Sequence, residues 1–160
     1  MKTIRKALLS LACVLVLGTG SSLAQSNDIY GAGSLGIDIL PSGTFFNINS
    51  YVGFEDLISD GIDVRANLGL ITAGDLLVQL GADALFAFQF DPGSPITIYA
   101  GGGPRVVFGG ATDFAIGAVG NFDYALQPNL SIFGEFDLDL YFRGGASVVP
   151  GLEVGAKYKF

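Results

Sequence analysis

The sequence contains no histidine, no tryptophan and a single cysteine, Cys13, within 160 residues. Charged residues make up only 14% of the chain, against about 25% in an ordinary soluble domain. Half of the residues are hydrophobic and the mean hydropathy is +0.53. Yet no run of about 18 uncharged apolar residues follows the amino-terminal region, which excludes a membrane-spanning helix there. The apolar residues are instead spread along the chain, as in the alternating strands of a membrane β-barrel.

The first 24 residues predict a cleaved secretory signal. Lys2, Arg5 and Lys6 form its positive start, an apolar stretch covers residues 7–17, and Ser22-Leu23-Ala24 provides small residues for cleavage. A membrane-anchor helix is the alternative interpretation. The apolar stretch is too short for such an anchor, and small polar residues follow it.

Removal of the signal changes the chemistry of the remaining chain, residues 25–160. Three of the eight basic residues leave with it, so five basic residues face fifteen acidic ones and the net charge becomes −10. A nucleic-acid partner is excluded because phosphate contacts need a basic patch. Cys13 lies inside the apolar stretch of the signal, so we expect residues 25–160 to have no disulfide and no thiol chemistry.

Seven clusters rich in Gly, Pro, Asn or Asp divide residues 25–160, and they are centred near positions 42, 60, 74, 93, 110, 128 and 147. The eight segments between them are each long enough for a tilted membrane-spanning strand, which needs about 9–11 residues. No segment has a helical period. The sequence therefore predicts an all-β domain over 25–160, an eight-stranded antiparallel up-and-down transmembrane β-barrel with short loops.

Apolar and polar residues alternate within every segment, which places them on opposite faces of a strand. The seventh segment shows this most clearly. Its apolar face carries Ile132, Phe136, Leu138, Leu140 and Phe142. Its polar face carries Glu135, Asp137, Asp139 and Arg143. No charge lies mid-strand on the apolar phase of any segment. This pattern suits a lipid-facing surface, where a midplane charge costs about 2–4 kcal/mol.

Alternation alone leaves open which face points inward, since a soluble lipocalin-type barrel would enclose the apolar phase. Three features favour the membrane: the low charge, the many glycines and alanines on the polar phase, and the aromatic residues near segment ends. These aromatics predict two girdles at the membrane interfaces. The girdle residues are Phe46, Phe54, Phe88, Phe90, Phe108, Phe114, Tyr124 and Phe142, with Tyr158 and Phe160 at the carboxyl end.

A polar phase that faces inward predicts a network of charges inside the barrel. An eight-stranded barrel is just wide enough for its side chains to fill it, and buried charges need partners. The expected network comprises Arg65, Asp83, Arg105, Asp123, Glu135, Asp137, Asp139, Arg143, Glu153, Lys157 and Lys159. Glu135, Asp137 and Asp139 form an acidic row on one face. Its alternative interpretation is a cation site or a proton-linked pathway.

The chain resembles the small eight-stranded OmpA/OmpX-like outer-membrane barrels in three passages. These are the glycine-rich Tyr99-Ala-Gly-Gly-Gly-Pro104, the stretch from Phe114 to Phe142 with its tight turn at Gln127-Pro-Asn, and the ending GLEVGAKYKF. The resemblance implies a porin-like fold in the outer membrane of a Gram-negative-type bacterium, with both termini periplasmic. It also implies that Tyr158 and Phe160 form the assembly signal for the barrel-assembly machinery. The short loops expected on the outer side argue against adhesion and receptor roles.

The favoured function is a structural or interaction role in the cell envelope, with a polar lumen largely filled by side chains. The alternatives are a narrow small-solute or ion channel that uses the acidic lumen, and a soluble lipocalin-like binding barrel. We expect no enzyme, since outer-membrane acyltransferases and deacylases of similar fold use a histidine. We also expect no catalytic residue, metal or cofactor. The glycine pattern from Gly31 to Gly36 lacks the following helix of a dinucleotide site, so it predicts close packing.

Overall fold

The computed structural model describes residues 29–40, 42–91, 93–109, 111–142 and 145–160. The predicted signal over 1–24, with Cys13, and Arg143 lie outside the described residues. Eight strands make up most of the described chain: β1 (Ile29–Leu40), β2 (Gly43–Phe54), β3 (Ile62–Ala73), β4 (Asp75–Phe88), β5 (Ile96–Gly109), β6 (Ala111–Gln127), β7 (Leu130–Tyr141) and β8 (Ser147–Lys159). No helix among the described residues is long and apolar enough to cross a membrane.

The eight strands form one closed barrel in sequence order. Each strand pairs antiparallel with the next, and β1 pairs antiparallel with β8, where Ser34 lies opposite Gly155. The prediction of an eight-stranded antiparallel up-and-down barrel is therefore confirmed. Closure leaves no strand edge with unpaired backbone groups, which is what a bilayer interior requires of a β-structure.

The two ends of the barrel can be told apart by the chain termini. We call the terminal rim the end where β1 begins and β8 finishes, and the far rim the opposite end. The far-rim connections are short, as expected: none exceeds the five residues 142–146 between β7 and β8. The connection between β3 and β4 is the single residue Gly74, whose φ of +78° is a conformation that glycine adopts without steric cost.

Burial separates the two faces of every strand. Polar and charged residues such as Asp63, Asp83 and Asp139 are buried inside the barrel. Large apolar residues such as Leu35, Phe46 and Leu152 are at least half exposed on the outside. A soluble barrel with an apolar interior would show the reverse, so the lipocalin-type alternative is wrong. An apolar surface that extends around the whole barrel also exceeds the few hundred Å² found as a patch on soluble monomers.

The interior is not wholly polar. One apolar cluster of Tyr30, Ala32, Tyr51 and Phe133 and another of Leu85, Tyr99 and Val119 are buried inside the barrel. Phe133, Leu85 and Val119 occupy positions of the polar phase that the sequence pattern leaves to small or polar residues. These side chains fill lumen space between the charged groups, which lowers the local dielectric and strengthens the ion pairs beside them.

Candidate functional site

Asp83 lies at the centre of the lumen, and its side chain is fully buried. Its two carboxylate oxygens accept from two different arginines. Arg65 Nε lies 2.9 Å from Asp83 Oδ2, and Arg105 Nη1 lies 2.6 Å from Asp83 Oδ1. Because β4 lies between β3 and β5, the three side chains meet directly across neighbouring strands. The carboxylate therefore neutralises part of two guanidinium charges at a point that water does not reach.

Arg65 carries the network across the barrel to β7. Its Nη1 and Nη2 atoms each donate to one oxygen of Glu135 at 2.7 Å, a bidentate pair. Asn121 Nδ2 adds a third hydrogen bond to Glu135 at 2.9 Å. The Arg65 guanidinium also lies 4.3 Å from the centre of the Tyr51 ring. Such fork-shaped pairing is strong and directional, so it fixes β3 to the opposite wall.

Arg105 makes the second link to β7. Its Nε atom lies 3.4 Å from Asp139 Oδ1, and Gln79 Nε2 donates to Asp139 Oδ2 at 3.3 Å. The neighbouring Gly81 and Gly117 make this possible, because a Cβ atom at either position would lie within 3 Å of the Arg105 guanidinium. The small residues on the polar phase thus leave space that the long charged side chains occupy.

Glu153 is held by neutral donors. Ser34 Oγ and Asn49 Nδ2 each donate to its carboxylate at 2.5 Å, and Tyr51 Oη donates at 2.6 Å. These hydrogen bonds join β8 to β1 and β2 across the seam where the barrel closes. Hydrogen bonds to an ionised carboxylate are roughly twice as strong as neutral ones, so this cluster stabilises the closure.

A separate charged cluster lies toward the terminal rim. Lys157 forms an ion pair with Asp123, and its Nζ atom also lies 3.8 Å from Glu55 and 4.7 Å from the Tyr99 ring centre. Lys159 pairs with Glu55 at 2.7 Å but is partly exposed. Glu55 follows β2 and is absent from the sequence-predicted network. A sequence signal existed, since Glu55 continues the polar phase of the second segment.

Most predicted network residues thus meet in two clusters, one around Asp83 and one around Lys157. Glu153 belongs to neither cluster, because its partners are neutral donors. Asp137 forms no hydrogen bond or ion pair among the described residues, where its Oδ2 atom is buried without a partner. Arg143 lies outside the described residues. In the described part of the chain, no group of three or more Asp, Glu, His or Cys side chains has the spacing of a metal site.

Little free space remains between these clusters. One internal cavity of about 20 Å³ lies beside Asp137 and Asp139, and another of about 20 Å³ lies beside Asp123 and Lys157. Each is large enough for about one water molecule. A larger cavity of about 230 Å³ lies near the far rim. The described lumen is therefore closed at its middle by side chains.

The predicted girdle residues lie at the strand ends and point outward. Toward the terminal rim are Phe54, Phe88, Phe90, Tyr124, Tyr158 and Phe160. Toward the far rim are Phe46, Phe108, Phe114 and Phe142. The Tyr158 and Phe160 rings pack edge to face with centres 5.4 Å apart, and the Phe160 amide donates to Ile29 at 3.1 Å. Their girdle and assembly roles stay predictions.

Comparison with known proteins finds likeness in structure alone. No protein-family model matches the sequence, and no curated protein matches it either. Among solved structures, Neisserial surface protein A superposes with a TM-score of 0.63 at 17% identity, covering 84% of this chain and 98% of that one. The amino-terminal β-barrel domain of Pseudomonas aeruginosa OprF gives 0.64 at 13% identity, covering 83% and 98%.

A de novo designed transmembrane β-barrel matches equally well, with a TM-score of 0.62 at 13% identity, covering 85% of this chain and 98% of the design. At such low identity the likeness concerns the fold, and a designed protein among the matches shows that this fold carries no particular activity. The chain has the eight-stranded fold of small outer-membrane β-barrels such as Neisserial surface protein A and OprF.

Proposed function

We propose that this protein is an integral outer-membrane β-barrel with a structural or interaction role and a closed lumen. The observation that carries the proposal is the central cluster, in which Asp83 joins Arg65 and Arg105, and Arg65 joins Glu135 on the opposite wall. A solute would have to separate these buried ion pairs to pass. Removing one partner from such a pair costs about 3–5 kcal/mol, so spontaneous opening would be rare.

The bilayer placement follows from the outer surface. Exposed residues such as Ile48, Phe136 and Val154 lie on strands of 12 or more residues, which is enough for a tilted crossing. In the proposed orientation both termini lie in the periplasm, as in the barrels that the sequence resembles. The short far-rim hairpins would then face the exterior, and the aromatic ending would engage the barrel-assembly machinery during insertion.

The role is proposed as non-catalytic. The carboxylates at the centre, Asp83 and Glu135, are engaged by arginines, which leaves them poorly placed to accept or donate a proton in a reaction. A narrow ion or small-solute channel is the second candidate. The observation that favours a channel is the excess of acidic groups in the far half of the lumen, which include Asp38, Asp137 and Asp139.

Conductance separates the two candidates. Residues 25–160 are refolded into planar lipid bilayers, and currents are recorded in high salt. We expect no discrete openings. The double variant Arg65→Ala/Glu135→Ala is the matched control, because it removes both members of one pair and widens the centre, while Asp83 loses one partner but keeps its ion pair with Arg105. Measurable steps in the double variant alone would support a closed lumen, whereas equal steps in the unchanged barrel would favour the channel.

A further inference from the structure

Two cavities lie one above the other in the far half of the lumen. The outer one, which we call the far-rim cup, has a volume of about 230 Å³, and aliphatic side chains including Ile71, Leu77, Val107 and Val149 form much of its wall. The inner one, which we call the acceptor cavity, is the cavity of about 20 Å³ beside Asp137. Asp38 lines both, so an acidic group lies where the cup meets the smaller space.

The acceptor cavity is lined by oxygen atoms that lack donors. Within the described part of the chain, Asn47 Oδ1, Asn67 Oδ1 and Asp137 Oδ2 are all buried without a hydrogen-bond partner. The Asn67 side chain has no partner at all among the described residues, and the residue is only 9% exposed. Unsatisfied buried acceptors are costly, and the one water molecule for which this space has room could donate to only two of the three.

The charged residues around the two cavities also favour a cationic ligand. The described residues that line the two cavities include six carboxylic acids and one basic residue, Arg105. The Arg105 guanidinium is already engaged by Asp83 and Asp139, and one of the six acids, Glu135, is engaged by Arg65. The far half of the lumen therefore carries an excess of negative charge in a confined, partly apolar space. Such a space attracts a cation far more strongly than an open surface would.

The aliphatic wall of the cup indicates which kind of cation fits. A metal ion such as K⁺ or Mg²⁺ gains nothing from contact with Ile71, Leu77 or Val149. A primary ammonium on a short alkyl body gains twice: its three N–H groups supply the missing donors, and its carbon chain is removed from water against the wall. We propose that the far half of the lumen is a binding site for a primary alkylammonium ion, with Asp38 and Asp137 as its anionic partners.

The probe is n-butylammonium chloride, titrated at constant ionic strength into isotope-labelled barrel in nanodiscs of zwitterionic lipid. Amide chemical shifts are followed by NMR. We expect saturable shifts confined to residues around the cup. Ammonium chloride tests the contribution of the charge alone, 1-butanol tests the alkyl body alone, and magnesium chloride tests an inorganic cation. Butylammonium should bind more tightly than any of the three.

Variants link the binding to the named carboxylates. Asp38→Asn and Asp137→Asn should each weaken butylammonium binding at least about tenfold, the value expected for loss of one charge-assisted hydrogen bond. Asp75→Asn is the matched control. Asp75 opens β4 at the same rim, is exposed and lines neither cavity, so its loss removes an equal charge and should leave the affinity unchanged.

Four outcomes would overturn the proposal. They are equal affinity for 1-butanol, equal or tighter binding of magnesium or ammonium, equal loss in all three variants, and no saturable shift in either the unchanged barrel or its Arg143→Gln variant. The titration is also carried out with the Arg143→Gln variant, in which the Arg143 guanidinium cannot compete with butylammonium for the carboxylates. The proposal needs the barrel but not a closed lumen, so it is independent of the conductance result.

Discussion

At the scale of single residues, the structure depends most on Asp83. A carboxylate that is fully buried between Arg65 and Arg105 is stable only because both positive charges compensate its lost hydration. The reverse also holds, since each arginine is almost fully buried and relies on its acidic partners. This mutual dependence makes the central cluster sensitive to the loss of any one member.

Asp83→Ala should therefore destabilise the folded barrel by about 3–5 kcal/mol, because two guanidinium groups lose a partner in a space that excludes water. The measurement is urea unfolding of the refolded barrel in lipid vesicles, followed by tyrosine fluorescence. Asp75→Ala removes the same functional group from an exposed position and should change the free energy of unfolding by less than about 0.5 kcal/mol. Similar losses in both variants would contradict the central role of Asp83.

The sequence predicted which residues enter the lumen better than it predicted their partners. The pairing of β7 with β8 alone would predict that Lys157 lies near the acidic row of β7. The observed register places Lys157 opposite Ser131, whereas Glu135 lies opposite Glu153. Lys157 is thus four residues from the level of Glu135, about 13 Å along the strands. Alternation fixes the face of a residue but not its height, which depends on register and strand tilt.

Other partners were inaccessible from the sequence for a related reason. Glu153 accepts from Ser34, Asn49 and Tyr51, which are more than 100 residues away in the chain. Barrel closure brings them together, and local patterning carries no information about contacts across the lumen. Phe133 and Leu85 also show that apolar side chains are accepted on the inner face where a neighbouring glycine leaves space, as Gly155 does beside Phe133.

At the scale of one element, β7 shows how a strand separates two environments. Leu138 is 38% exposed on the outer face, and its neighbours Asp137 and Asp139 point inward. Because the side-chain period is two, adjacent positions on this strand test opposite surfaces with the same backbone. The sequence was sufficient for this assignment, since the alternation from Glu135 to Leu140 fixes the phase and the low overall charge favours lipid around the apolar face.

Leu138→Arg should prevent stable insertion, since a cation on the lipid-facing side near the middle of a strand costs about 2–4 kcal/mol. Asp137→Asn should insert normally, because Asp137 has no hydrogen bond or ion pair among the described residues. The measurement is the fraction of protein that refolds into vesicles and resists protease. Full insertion of both variants would show that the faces of β7 are assigned the wrong way round.

At the scale of the whole molecule, the charged residues of the strands lie mainly inside the barrel, and most large apolar residues lie outside it, apart from those in the two internal clusters. This arrangement suits a hydrocarbon solvent, in which every backbone group must pair within the closed sheet. Length, turn spacing and alternation were enough to predict the number of strands and their closure. The sequence did not show that the centre is closed while the far half keeps open space. That asymmetry depends on where Arg65 and Arg105 meet their partners.

The central claim is that this chain forms a closed barrel whose outer surface is made for lipid. The most direct test refolds residues 25–160 into detergent micelles and compares unheated and boiled samples on a denaturing gel. A shifted, protease-resistant band in the unheated sample is the predicted result, because a closed β-barrel resists the gel detergent until heated. No shift, together with a chain that stays dissolved and folded in plain buffer, would contradict the account.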